Sequence, residues 1–516
     1  MVHLMVLARD ASWAGGSSLR ALKSFITNTK PAFTLTCGLV IVAGLIVKVL
    51  YNVLLHPLRR FPGPIAGKCT VLYRCWRLVR GSLQSDIRRW HNQYGPIVRV
   101  APDELSFIKS QAWKDIYSPF GSASAAKEMV KYSGFYRFAH PSTPDHIASA
   151  DFEKHAELRR KLTHGFSAKS LRDQGPIIER HADLLVQQLQ DMCLHGAESA
   201  NMRDWYDFFS FDVIGVLSFG SSFGCLETSD YHPWIKAITG TLVEFAFLQS
   251  LLYLGLTRLV HAITGSSLLR TALMHERLTK GMLQKRFENA TTRLDFVGCF
   301  TDASAPLTFS EVESNIYLLL MAGSETTSSL LAGLTALLLE NATDLKRLER
   351  EVRSHFATAA DITCSSVKDL VYMEACLHEA LRLYPPVPVG LPRVTPDGGA
   401  VIAGEPIPPN TTVSVPHWVT YRSEYNFSQP DRFLPTRFLD SKSFAQDDRT
   451  ALQPFGVGHR ACVGRNLAFA EVKVVLTKLL FTFDLAATPS SGNWMDQKIY
   501  ITWQKPDLVA SLKLRT

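Results

Sequence analysis

The sequence predicts a mainly α-helical catalytic domain with small β-sheets, preceded by one N-terminal transmembrane helix. Three observations predict it: helical periodicity along most long segments, a few short strand-like runs, and one long apolar stretch near the start of the chain. The 516 residues exceed the usual size of one hydrophobic core and leave room for a buried cofactor site. With 46 % hydrophobic and 20 % charged residues, the chain is not disordered throughout.

From Ala32 to Val47 no residue is charged, and after Lys48 the apolar character resumes to Leu55. As a helix, residues 32–55 reach about 36 Å, enough for a hydrocarbon core of about 30 Å. Lys48 is close enough to one end to snorkel. The thirty-odd residues before the run are more than the short basic leader of a cleaved signal peptide, so an anchor is the reading, with residues 1–31 as an N-terminal tail. Residues 56–80 carry six Lys or Arg against four in residues 1–30, which places the C-terminal bulk in the cytoplasm. Nine scattered cysteines without paired CxxC spacing agree with a reducing compartment and exclude a disulfide framework or zinc site. The net charge of +8 comes from dispersed Lys and Arg with no nucleic-acid-reading signature. A membrane surface or an acidic protein partner accounts for it.

Residues 56–68, with Phe61-Pro62-Gly63-Pro64, read as a stiff hinge or as an ordinary Pro-rich linker. Residues 69–516 read as one catalytic domain. Helical spacing is expected over 343–356, 367–384 and about 311–340, with strands over Ile97–Val100 and Thr412–Val415.

The strongest chemical signal is Phe455-Gly-Val-Gly-His-Arg-Ala-Cys-Val-Gly464. A haem iron held by a thiolate needs a cysteine on a tight turn, aromatic cover for the sulfur, a cation for the propionates and a close-packed helix behind. Cys462, Phe455, Arg460 and Gly464 have those chemistries, and Gly458 can take positive φ. The helical stretch that follows puts the sulfur near a helix N-terminus, where backbone N–H groups favour negative charge. The bland alternative is that Cys462 is a small buried hydrophobe.

These five residues resemble the cysteine-ligand loop of the cytochrome P450 family, and three further matches join them. Glu379 and Arg382 share a helix face, and the resemblance pairs them with Arg437 in Pro435-Thr-Arg-Phe438, a cluster that fixes the meander before Cys462. Met321-Ala-Gly-Ser-Glu-Thr-Thr327 matches the oxygen-side helix: Ala322 and Gly323 leave space beside an iron-bound ligand, and Glu325 and Thr326 supply an acid and a hydroxyl for proton delivery. His155 and Arg159 stand where the family often has Trp and Arg, which makes them propionate contacts, although a surface histidine is the other reading of His155. Arg393 resembles another propionate-binding arginine.

The resemblance covers roughly residues 51–516 and points to fungal secondary-metabolism members near the trichothecene (isotrichodermin) hydroxylases. It implies the cytochrome P450 fold with haem b on an axial thiolate, and a location in the endoplasmic reticulum membrane with one span. The implied partners are an NADPH-cytochrome reductase that supplies electrons, cytochrome b5, and an apolar small molecule, with no nucleic acid. The implied reaction is hydroxylation or epoxidation of a fungal terpenoid or polyketide with dioxygen. Pocket stretches carried over are Phe135–Pro144, Leu242–Leu256, Leu320–Thr326 and Val387–Leu391. Two other classes use the same cysteine: a haem-thiolate isomerase or dehydratase, and a non-catalytic haem sensor or electron carrier. Glu325 and Thr326 favour the oxygen route.

Overall fold

The computed structural model describes residues 35–120, 128–136, 143–233, 242–257, 259–260, 267–288, 295–301, 306–440, 442–489 and 493–515, without the side chains of 267–276. The expected tail 1–31, residues 32–34 of the anchor, the Asn289 sequon and residues 137–142 of the pocket loop lie outside the described residues.

Helix α1, Leu35–Leu55, has a mean hydropathy of 2.3 and almost no surface covered by the rest of the chain, so it is long and apolar enough to cross a membrane. It ends at His56, whose extended backbone leads into a turn begun by Pro57, where no helix can continue. Residues 56–68 then pack on the domain instead of spanning a gap. Leu58 and Phe61 are buried in a core shared with the main sheet, Arg99 N donates to Pro62 O at 2.8 Å, and a Cβ on Gly63 would overlap the Arg99 carbonyl. Helix Ile65–Cys69 straddles the boundary drawn at 68/69, so the folded domain takes in the Pro-rich segment.

That sheet has strands β1 Ile97–Ala101, β2 Glu104–Phe107, β3 Val130–Lys131, β4 Arg393–Val394 and β5 Thr412–Ser414, in the order β1-β2-β5-β4-β3. Only β2 and β5 run parallel, with Glu104 opposite Thr412; β3 sets Lys131 opposite Arg393. A three-stranded sheet, a short hairpin and the helices complete the domain.

The helices that position the site are α2 Val71–Val79, α3 Phe152–Gly165, α4 Met202–Phe219, α5 Leu242–Tyr253, α6 Phe309–Glu340, α7 Val371–Leu383 and α8 Arg465–Thr482. Thr308 and Glu311 form a reciprocal cap that starts α6, and its 32 residues span about 48 Å. Its second half is buried, with Gly333 letting the Tyr384 ring lie on the backbone. The helix expected over 367–384 begins later: 366–369 form a separate 3-10 turn. The reason is a tertiary cap, because Glu351 accepts from Tyr372 N at 2.6 Å and Met373 N at 2.9 Å. The preceding helix is Ala342–His355.

Candidate active site

Cys462 sits on a loop closed by its own N–H donating to Phe455 O at 2.8 Å. The loop turns through Gly456 and Gly458, at φ of 70° and 74°, a region that L side chains rarely occupy. At Gly458 a Cβ would also lie 2.8 Å from Tyr117 O. The N–H groups of Gly464 and Arg465, at the start of α8, and the Arg159 guanidinium favour the thiolate, yet burial outweighs them and raises the thiol. The sulfur is accessible although protein surrounds it, so it faces interior space. Phe455 packs at 5.4 Å from Phe469, with the Arg465 guanidinium 5.7 Å from its ring.

Two glycine readings need correction. Gly464 has φ of −83° as the N-cap of α8, and a Cβ there would make only ordinary contacts at 3.7 Å or more. Its contribution is the N–H, not a close approach. A Cβ on Gly323 would lie 2.5 Å from Ile214 Cδ1, so its missing side chain serves the packing of α6 on α4 and not room beside an iron-bound ligand. Ala322 is the residue of the pair that is exposed, in the middle of a helix whose other exposed residues, Ser310 and Glu340, lie at its ends.

The cations collect around Glu128. Arg460 forks onto its carboxylate, with Nε to Oε2 at 2.7 Å, and also donates to Ala150 O and Asp151 O. His459 Nε2 lies 2.9 Å from Glu128 Oε2. Arg393 and its cross-strand partner Lys131 complete the group. Burial, then Arg460 and Arg393, push Lys131 down to about 6; burial, then Arg460 and Lys131, push His155 down to about 3. Among the described residues the buried atoms without a hydrogen-bond partner include Nη1 of Arg393, Nη1 of Arg460, Nδ1 of His155 and Nδ1 of His459. Like charges opposed across a strand pair and donors left over in burial fit an added anionic group. Arg159 donates to Ala461 O at 2.5 Å beside the Cys462 thiol. The Cys462 sulfur together with the unmatched N–H groups of Arg393 and Arg460 fits a haem with its two carboxylates.

On α6, Ser324, Thr326 and Ser328 all bond back to their own helix, Thr326 Oγ1 donating to Ala322 O at 2.6 Å. Glu325 turns the other way, its Oε1 3.3 Å from Lys505 Nζ. Lys505 is also 3.1 Å from Asp207 and donates to Ser328 Oγ at 2.8 Å. Burial raises Glu325 despite this lysine, and Lys505 itself is held above its ordinary value, against the cost of burial, by Asp207 and Glu325. One cation shared by two buried carboxylates leaves a place for a proton on Glu325. Two positions after Glu325, Thr327 donates at 3.0 Å to Glu471 of α8, a carboxyl pushed up to about 8 by burial.

Glu379 receives Arg382 at 2.7 and 2.8 Å, and Arg437 lies 3.5 Å away, all three side chains fully buried. Arg382 further donates to the carbonyls of Tyr421, Pro430 and Arg432, and Leu434 N donates to Glu379. Arg437 also pairs with Asp447. The cluster is thereby tied into the 421–447 chain that leads to Cys462. Sequence reasoning missed Glu128, Lys131, Lys505 and Asp447, which sit singly in loops or short elements without periodic context, and Asp207, a buried acid within α4. Glu471 had a signal: a lone acid within an apolar stretch of α8.

The cytochrome P450 family model matches residues 61–508. Cytochrome P450 monooxygenase tpeC of Talaromyces stipitatus is 42 % identical over 475 residues, which are 92 % of this chain and 93 % of that protein. Cytochrome P450 monooxygenase astA of Talaromyces wortmannii is 38 % identical over 470 residues, covering 90 % and 94 %. Averantin hydroxylase of Dothistroma septosporum is 39 % identical over 475 residues, covering 91 % and 89 %. The chain belongs to the cytochrome P450 family. Membership implies haem with thiolate-ligated iron.

Proposed function

We propose that this chain is a membrane-anchored haem-thiolate monooxygenase that hydroxylates or epoxidises an apolar small molecule of fungal secondary metabolism, with electrons passed from NADPH by a reductase. The observation that carries it is the Cys462 loop: a turn closed by the Cys462 N–H on the Phe455 carbonyl, with the thiol met by two helix-start N–H groups, in a fold that also leaves buried arginine N–H groups unmatched among the described residues. Haem bound there supplies dioxygen activation and transfer of one oxygen atom to the substrate.

The chain's own residues do the rest. Cys462 would hold the iron, while Arg460, Arg393, Lys131 and His155 would hold the carboxylates. Arg159 opposes the cost of burying charge at the sulfur. Glu325 stores a proton in a pocket that Lys505 and Asp207 keep polar, and Thr326 presents a hydroxyl on the neighbouring face of α6. Helix α1 anchors the enzyme in the endoplasmic reticulum membrane with the domain on the cytoplasmic side, where reductase and cytochrome b5 would dock. The test is the reduced carbon monoxide complex. The wild type shows the far red-shifted Soret band of thiolate ligation, and Cys462→Ala abolishes it; an unchanged band in that variant ends the reading.

A further inference from the structure

A small cavity of about 30 Å³ joins the start of the domain to three of the pocket stretches. Phe135, Gln249 of α5, and Val389 and Gly390 line it, followed by Pro392 next to Arg393. Its opposite wall is polar: Arg74 of α2, Glu104 of β2, and Gln84. None of residues 320–326 lines it, so it is set apart from the turn that carries Thr326.

The polar wall is built and incomplete. Arg74 is 7 % exposed and Gln84 5 %. Arg74 forks onto Glu104 at 2.5 and 3.3 Å and donates to Tyr253 Oη at 2.9 Å. The Tyr253 ring lies 3.7 Å from the guanidinium carbon. Among the described residues, two buried atoms of this wall are without a partner: the donor Nη1 of Arg74 and the acceptor Oε1 of Gln84. Burial makes such unmatched groups costly, and one ligand group satisfies both kinds. A hydroxyl accepts one hydrogen bond and donates another. A carboxylate would accept from Arg74 but could give Gln84 nothing, and would stand beside Glu104, which already neutralises the guanidinium.

We infer that this cavity, whose volume admits a hydroxyl group and little more, is a hydroxyl-recognition subsite, in which Arg74 donates to and Gln84 accepts from a hydroxyl of the substrate. The substrate is then an apolar molecule that already carries an alcohol or phenol away from the position oxidised near Thr326. A reaction that installs or retains a hydroxyl must precede this one. The inference rests on the monooxygenase reading and narrows its substrate class.

The probes are flavone and its singly hydroxylated derivatives, colourless at the Soret band, titrated by haem difference spectra into the full-length holoenzyme. The best hydroxyflavone binds about tenfold more tightly than flavone in the wild type. Gln84→Leu, which leaves the Arg74–Glu104 pair intact, brings that ratio below about twofold while flavone's own Kd stays within about twofold. Arg74→Lys, which keeps a cation for Glu104 but removes the spare donor, does the same; should it lose the carbon monoxide band, Gln84→Leu decides alone. A ratio near one in the wild type, or a ratio that survives Gln84→Leu, overturns the subsite and leaves the monooxygenase reading standing. A wild type without the thiolate band takes down that reading and the subsite with it.

Discussion

Lys505 Nζ stands 3.3 Å from Glu325 Oε1 inside the protein, and the same nitrogen serves Asp207. A residue eleven positions from the C-terminus thus fixes the acid of the oxygen-side helix. Removing the cation as Lys505→Met strands two buried carboxylates, a change that costs about 3–5 kcal/mol. The thermal midpoint should fall, and Lys505→Arg should restore most of it. Without the lysine Glu325 also rises further, so the limb of the pH profile for product formation that belongs to Glu325 should move to higher pH. A profile that keeps its place in Lys505→Met would separate Glu325 from proton delivery.

Glu471 gives a pH dependence of stability with a definite sign. Its folded value of about 8 lies above that of an unfolded glutamate, about 4.3. Between those values the folded state holds a proton that the unfolded state has lost, so stability falls as pH rises through that window. The contribution is complete below the unfolded value and is lost, by a few kcal/mol at most, as pH approaches about 8. Glu471→Gln keeps an acceptor for Thr327 and should flatten the decline in urea-unfolding midpoints between pH 5 and pH 8. Equal slopes in the two proteins would show that Glu471 is ionised throughout.

The fold class and the frame of the site were legible because they rest on periodicity and on residue types that are rare in combination. The periodicity of α6, the Glu379–Arg382 spacing and the Cys462 loop carry their own pattern. What was not legible is tertiary. Gly323 looks like room for a ligand until Ile214 is seen against it. The late start of α7 depends on Glu351 of another helix, and Lys505 has no local reason to matter. The glycosylation sequon Asn426-Phe427-Ser428 gives the same lesson: Asn426 is buried and donates to Ile108 O and Thr420 O, so the folded domain leaves no room there for a glycan.

Lys154, Arg160, Lys161 and Arg465 form the basic patch that the sequence offers to a reductase on the Cys462 face, and they are not equally available. Lys154 is held by Glu311 at 2.7 Å and Glu157 at 3.1 Å, which leaves Arg160 and Arg465 as the exposed cations of the expected patch near Cys462. Arg160→Glu and Arg465→Glu should slow NADPH-driven reduction several-fold at low ionic strength, roughly, and less at physiological salt, where the Debye length is about 8 Å. Lys154→Ala should leave the rate near that of the wild type. If Lys154→Ala slows reduction as much as the other two, docking uses a different face.

Thr326 carries the most specific prediction for chemistry. Its hydroxyl donates to Ala322 O at 2.6 Å, the ordinary satisfaction of a helical threonine, so its lone pairs stay free to accept from water or ligand. Thr326→Ala removes that acceptor and leaves the Ala322 carbonyl with its helical partner, and alanine is the better helix former, by up to about 0.7 kcal/mol. Haem content and the carbon monoxide band should therefore persist, and the thermal midpoint should move little. What should change is coupling: NADPH consumption continues, while product per NADPH falls about tenfold or more and peroxide rises, the loss expected when one proton-handling group is removed. Thr326→Ser keeps the hydroxyl and should recover most of the coupling. Glu325→Gln supplies the comparison, since it spares Thr326 but disturbs the Lys505 pair, and should lower both coupling and stability. If Thr326→Ala instead loses haem or stability while product per NADPH in the folded fraction stays constant, the hydroxyl serves the helix and not the reaction.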